Sequence, residues 1–168
     1  QLDTIIHKYY CEGNDDLDNT TTQVFNYNII NYLREVKMQN SDGSVIKHIY
    51  NYPFEFLAHY PNSVYMEMFD RNMLNSVVEQ YTTVDEKVTQ GFCFEFDASG
   101  INNEFIKPKK LFRLQTNCPL TNFQPFGQDS HYELTDEMKY DPSSGNLVEI
   151  WDESDGRTTY VWGFHNSL

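Results

Sequence analysis

Tyr140-Asp141-Pro142-Ser143-Ser144-Gly145-Asn146-Leu147 is the stretch on which the fold reading turns. An Asp at the head of such a segment can accept a backbone N–H from within the bend, as in Asx-turns. Gly145 supplies a left-handed backbone position, and Asn146 tolerates one. The runs on either side, Tyr132 to Asp141 and Asn146 to Asp152, therefore read as two strands joined by a turn. Asp155-Gly156 follows as a second bend, leading into a last strand from Thr158 to Phe164. Tyr140 is expected to stack on the equivalent residue of a neighbouring hairpin, a cross-strand contact worth about 0.5–1 kcal/mol.

The same layout occurs upstream. Tyr27 precedes Asp42-Gly43 by fifteen residues, and Tyr140 precedes Asp155-Gly156 by fifteen. Each interval holds a middle strand (Leu33 to Met38; Leu147 to Trp151) and is followed by a returning strand rich in aromatics (Ile49-Tyr50-Asn51-Tyr52; Tyr160-Val161-Trp162). Self-similarity at a fixed interval marks stacked supersecondary units. The two copies span about 24–53 and 132–164. The remaining segments fit that scheme. Thr4 to Cys11, Gln23 to Tyr27, Tyr32 to Met38 and Val45 to Tyr52 read as strands, with Pro53 stopping the last. Ser76 to Val84, Gln90 to Asp97 and Phe105 to Gln115 read as strands too. Between them Val64, Tyr65, Met68 and Phe69 fall on one face of a 3.6-residue period, so a short helix is expected over 62–72, within an insert of about 60–75. Asn62 or Ser63 can cap its start. The stretch 116–130, with Pro119, Pro125 and Gly127, reads as an irregular crossing. The expectation is a single mainly β domain over 1–168, an antiparallel sheet of stacked hairpins with roughly nine strands and one short helix near 62–73. No βαβ alternation is present to build a parallel sheet.

The 140–147 segment resembles the tyrosine–aspartate (YD) repeat of bacterial Rhs-type proteins: Tyr-Asp, a short spacer, then Gly-Asn-Leu. Asp155-Gly156-Arg157-Thr158-Thr159-Tyr160 resembles the partner turn and strand of that repeat. Tyr160-Val161-Trp162-Gly163-Phe164 is similar to a Y-x-W-G-[YF] segment of Rhs-like proteins from Bacteroidetes. Arg71-Asn72-Met73-Leu74-Asn75 is similar to a stretch found upstream of it there. The likeness is dense over 66–79 and 140–164 and thin elsewhere. It departs from the pattern at Pro142, an extra spacer residue, and at Asn28, which stands after Tyr27 where the repeat has Asp. The resemblance implies a bacterial extracellular or cell-surface module whose partners are other repeats of the same chain or other proteins. In that family the repeats build a spiral shell, often around a toxin. A chain of 168 residues has no room for either, so a segment or an orphan remnant is expected.

Composition narrows the functional classes. Aromatics make up 15% of the chain, with twelve Tyr and twelve Phe, which argues for a packed core and against disorder. A net charge of −13 repels phosphate backbones and anionic lipid, so neither nucleic acid nor membrane insertion is expected. The chain has no apolar run long enough to span a bilayer. Cys11, Cys93 and Cys118 form no CxxC pair, and their odd number argues against a disulfide framework. Cys93, inside an apolar strand, reads as core rather than nucleophile. His7, His48, His59, His131 and His165 are scattered without an HxH or HExxH pattern and read as ordinary strand or surface residues. Asn14, Asp16 and Asp18 alternate like part of a calcium loop, but Asn19 and Phe25 stand where its Gly and Glu belong. No GxSxG, Walker or dinucleotide motif occurs. The reading is a non-catalytic structural or interaction module with no catalytic, cofactor or metal residues assigned. Its rivals are a carbohydrate-binding β module using Trp151, Trp162 or exposed tyrosines, and, further off, a hydrolase with a carboxylate pair. An open sheet also exposes unpaired edges, so edge-to-edge dimerisation or protection of the edges by loops is expected.

Overall fold

Alternation of apolar and polar side chains along the β-rich segments favours strands, and tight bends return the chain beside itself. A computed structural model of the chain describes residues 2–9, 19–99 and 104–162. Among these residues the strands are β1 (Leu2–Tyr9), β2 (Asn19–Tyr27), β3 (Leu33–Gln39), β4 (Val45–Asn51), β5 (Glu79–Val84), β6 (Lys87–Ser99), β7 (Phe105–Leu114), β8 (Tyr132–Tyr140), β9 (Leu147–Asp152) and β10 (Gly156–Thr159). They form one ten-stranded sheet whose order is the order along the chain. Every adjacent pair is antiparallel. The expected mainly β architecture of consecutive hairpins is the observed one, with ten strands rather than nine.

Two helices replace the single expected one. Pro53 not only stops β4 but also opens α1 (Pro53–Phe56), where its missing N–H costs nothing and its fixed φ suits the first turn. The Glu55 carboxylate accepts from Tyr52 N at 2.9 Å and closes that turn. The second helix, α2 (Val64–Asp70), is shorter at both ends than the 62–72 expectation. Asn62 stands at φ 60°, outside helical space, and Ser63 is the cap, its Oγ accepting from Tyr65 N. Asn72, at φ 58°, ends the helix. Its N–H reaches Phe69 O, and Met73 N reaches Met68 O at 2.8 Å, a Schellman closure with Asn in the place Gly usually takes.

Other boundaries shift. The strand expected from Ser76 begins at Glu79, although Val78 still bridges Asn51 O and Phe94 N on either side. The strand expected over 158–164 is β10, ending at Thr159, and residues 163–164 lie outside the described residues. Asn40 to Ser44 forms a three-residue hairpin loop in which Gly43 takes φ +85°. The bend at 85–86 between β5 and β6 holds Asp85 but no Gly, Asn or Pro to mark it.

The core lies over the middle of the sheet. Phe56, Tyr65 and Met68 from the helical insert pack on Val78, Cys93, Phe96 and Ile106. Phe92, Phe94 and Phe96 run along β6 in edge-to-face contact, with centroids 5.5 and 6.3 Å apart. Away from this centre the sheet thins: β3 and β8 hold no buried residue, and β10 is exposed throughout.

Candidate functional site

Glu79, the first residue of β5, is fully buried. Its register places it opposite Asn51 on β4 and Cys93 on β6. Its carboxylate accepts four hydrogen bonds: from Asn51 Nδ2 at 2.7 Å, Phe126 N at 2.8 Å, Gly127 N at 2.9 Å and the Tyr132 hydroxyl at 3.0 Å. All four partners can donate, the set an acceptor-only carboxylate requires. Phe126 and Gly127 both take left-handed backbone at φ 67°, so their successive N–H groups form a small anion nest around it. A Cβ at Gly127 would come 3.1 Å from Cys93 Sγ, close enough that the thiol would have to give by a few tenths of an ångström. One acid thus ties β4, β8 and the 115–131 crossing to β5. No Lys or Arg bonds to it among the described residues.

This arrangement fixes the chemistry of its neighbours. Burial, with Glu79's charge adding to it, pushes the Cys93 thiol up and the Tyr132 phenol up. Cys93 is therefore a neutral core thiol, as its strand context implies, and not an activated nucleophile. Asp129, also buried, bonds Gln124 N at 2.9 Å, His131 N at 3.0 Å and the His131 ring at 2.7 Å. Despite burial, the bonds to His131 and Gln124 hold its carboxyl below the usual carboxylate range.

Between α1–α2, β6 and the 115–131 crossing lies a half-open cavity of about 390 Å³. Its walls are mainly rings, among them Tyr60, Tyr65, Phe94, Phe112, Phe126 and Tyr132. The tyrosine hydroxyls point back into protein: Tyr60 donates to Phe126 O at 3.0 Å, Tyr65 to Phe94 O and Tyr132 to Glu79. Glu95 and Asp129 contribute carboxylates, and no Lys, Arg or His lines it among the described residues.

The turn chemistry recurs. Asp141 Oδ1 accepts from Ser143 N at 3.0 Å and Ser144 N at 2.8 Å, and from both serine hydroxyls. Gly145 takes φ +70°, as its reading requires. Asp152 Oδ1 accepts from Ser154 N and Asp155 N, and Asp42 Oδ1 from Ser44 N. Asn28, the departure from the repeat pattern, does the same with its amide oxygen toward Ile30 N and Tyr32 N. Tyr140 differs from expectation. Its hydroxyl donates to Pro108 O at 2.9 Å, and its ring stacks on no neighbouring hairpin among the described residues. β7 brings a backbone carbonyl, not a ring, to that position.

The remaining candidates are dispersed. Trp162 is half-buried, and its Nε1 donates to Leu147 O. Trp151 is 36% exposed beside a shallow groove of about 340 Å³ lined by Lys109, Glu137, Lys139, Glu149 and Arg157. His48 bonds Thr82, His59 stacks on Phe126 at 4.0 Å, and His131 pairs with Asp129. Cys93 and Cys118 are free. Asn14, Asp16, Asp18, Cys11 and His165, and the side chain of His7, lie outside the described residues. Among the described residues no group of three or more His, Cys, Asp or Glu could hold a metal ion, and no helix is long and apolar enough to cross a membrane. No family model, curated protein or solved structure matches the chain.

Proposed function

We propose that this chain is a non-catalytic structural or interaction module, a YD-repeat-like β-sheet segment of a bacterial cell-surface or secreted protein. One observation carries the reading. Ten strands pair strictly in chain order, so each hairpin adds to the one before it and the sheet has no built-in end. The carboxylate-centred turns at Asp42, Asp141 and Asp152 support it by repeating one bend chemistry along that sheet. β1 and β10 each pair on one side among the described residues, and a sheet with unpaired edges recruits another strand. The partners are therefore neighbouring repeats or a second copy. Sedimentation over a dilution series, with hydrogen exchange of the β10 amides, tests this. A dimer with protected β10 amides is expected; a strict monomer whose β10 amides exchange freely counts against the reading.

The exposed indole of Trp151, flanked across the strands by Glu137 and Arg157, favours one second reading, glycan binding on the open face. A flat ring beside hydrogen-bonding side chains is the chemistry a sugar needs. On a glycan array the unmodified protein would then give signals that Trp151→Ala abolishes, and an array blank for both proteins excludes it.

A further inference from the structure

We propose that the aromatic cavity between α1–α2, β6 and the 115–131 crossing is a binding site for a small organic cation carrying a methylated, quaternary ammonium group. The inference does not depend on the hairpin-module reading. Charge comes first. Two buried carboxylates stand beside the cavity, Glu79 behind Tyr132 and Asp129 in the wall. Among the described residues Glu79 bonds only to neutral donors, and Asp129 to backbone N–H groups and the His131 ring. Glu95 at the wall meets Lys110 only loosely, at 3.7 Å. Asp129 has the half-exposed His131 ring as a partner, whereas Glu79 has no cationic partner among the described residues, and buried negative charge left in that state is costly in a protein interior. A cation in the cavity would offset that cost.

The walls select the kind of cation. Ring faces attract positive charge through their quadrupoles. The hydroxyls of Tyr60, Tyr65 and Tyr132 all donate into the protein, so the rings meet the cavity with their faces and edges. Tyr132 donates to a carboxylate, which enriches its ring and strengthens that attraction. A primary ammonium needs acceptors for its three N–H groups, and the acceptors of Asp129 and Glu79 are already taken by protein donors. A quaternary ammonium has no N–H to satisfy. The volume, about 390 Å³, lies within the ordinary range of small-ligand sites.

The test is a titration of the full chain with choline chloride, followed by ligand-observed NMR and calorimetry. Its neutral isostere 3,3-dimethylbutan-1-ol and methylammonium chloride serve as parallel arms. Choline is expected to bind about tenfold more tightly than either, the size of a partly desolvated cation–π contact. Phe112→Leu and Phe94→Leu, which keep apolar bulk and remove a ring, should each weaken choline by about fivefold more than they weaken the isostere. Equal binding of choline and the isostere would reduce the site to an apolar pocket and overturn the proposal, as would no binding of choline to the unmodified protein. Tighter binding of methylammonium would overturn the choice of a quaternary group.

Discussion

Gly43 and Gly145 both hold left-handed backbone, at φ +85° and +70°, but their surroundings differ. A Cβ at Gly43 would meet nothing within 4 Å, whereas one at Gly145 would fall 2.8 Å from the Phe105 ring. Gly43→Ala should therefore cost only the backbone penalty, about 1 kcal/mol. Gly145→Ala should add steric overlap and cost about 2–4 kcal/mol. Urea midpoints of the two variants check the difference. The turn acids give a second residue-scale prediction. Hydrogen bonds from Ser143 and Ser144 hold Asp141 at about 2, against 3.8 for a free carboxyl, and those from Ser154 and Asp155 do the same for Asp152. Both folded values are depressed, so the stabilisation is present above the unfolded value and disappears as pH falls through the folded one. Asn retains the Oδ1 acceptor without the charge. The double variant Asp141→Asn, Asp152→Asn should keep both turns and flatten the slope of stability against pH between 3.8 and about 2, as read from denaturant midpoints across that window. An unchanged slope would mean that these bonds do not distinguish the folded chain from the unfolded one.

At the scale of elements, the β5–β6 hairpin turns on Asp85-Glu86, both left-handed at φ 47° and 65°, with Val84 paired to Lys87. This is the backbone that Asn-Gly normally supplies. Asp85 is held there from outside the hairpin: its N–H reaches Val45 O and its carboxylate accepts from Val45 N, each at 2.9 Å. Glu86 has only an exposed ion pair with Lys47. Glu86→Gly should relieve about 1–2 kcal/mol of backbone strain, partly offset by greater freedom of the unfolded chain, for a net gain near 0.5 kcal/mol. Asp85→Gly gains a similar relief but loses the bond from Val45 N to a charged carboxylate, about 1.5–3 kcal/mol, and frees the unfolded chain as well, for a net loss of about 1 kcal/mol. Thermal melts of the two variants should move in opposite directions. The same turn shows where the sequence was readable. Asp42-Gly43 and Asp155-Gly156 announce their bends through a residue that accepts positive φ, and the alternating runs around them became β3–β4 and β9–β10. Asp85-Glu86 has no such glycine, and what holds Asp85 in place is a pair of bonds to Val45 on β4, forty residues away. The four-residue α1 was likewise hidden, because Pro53 signals the end of a strand and the start of a helix equally well.

For the whole molecule, the sequence reveals the additive sheet but not its centre. Glu79 sits in the run Val77-Val78-Glu79-Gln80-Tyr81, where alternation alone assigns no partner to an acid. The donors that satisfy it, at 126, 127 and 132, lie about fifty residues away in a crossing with no periodicity to read. Long-range polar satisfaction of this kind leaves no local mark, and so the cavity beside it was not legible either. The centre has a thermodynamic consequence. Buried side chains concentrate on β5 to β7 and the two helices, while β8, β9 and β10 hold none. Regions with few buried apolar contacts open at lower free energy than the core, and a sheet whose strands pair only with their chain neighbours can fray from its ends. Native-state hydrogen exchange should therefore show a gradient, slowest on β5–β6–β7 and faster through β8 and β9 to β10. Glu79→Gln, which puts an amide N–H against donors, should lower protection at the centre by about 2–4 kcal/mol. It should leave the exchange of β10, already governed by local opening, nearly unchanged. One plateau of protection across all strands, falling uniformly in the variant, would instead mean that the ten strands unfold as a single cooperative unit, and the additive description of the sheet would be wrong.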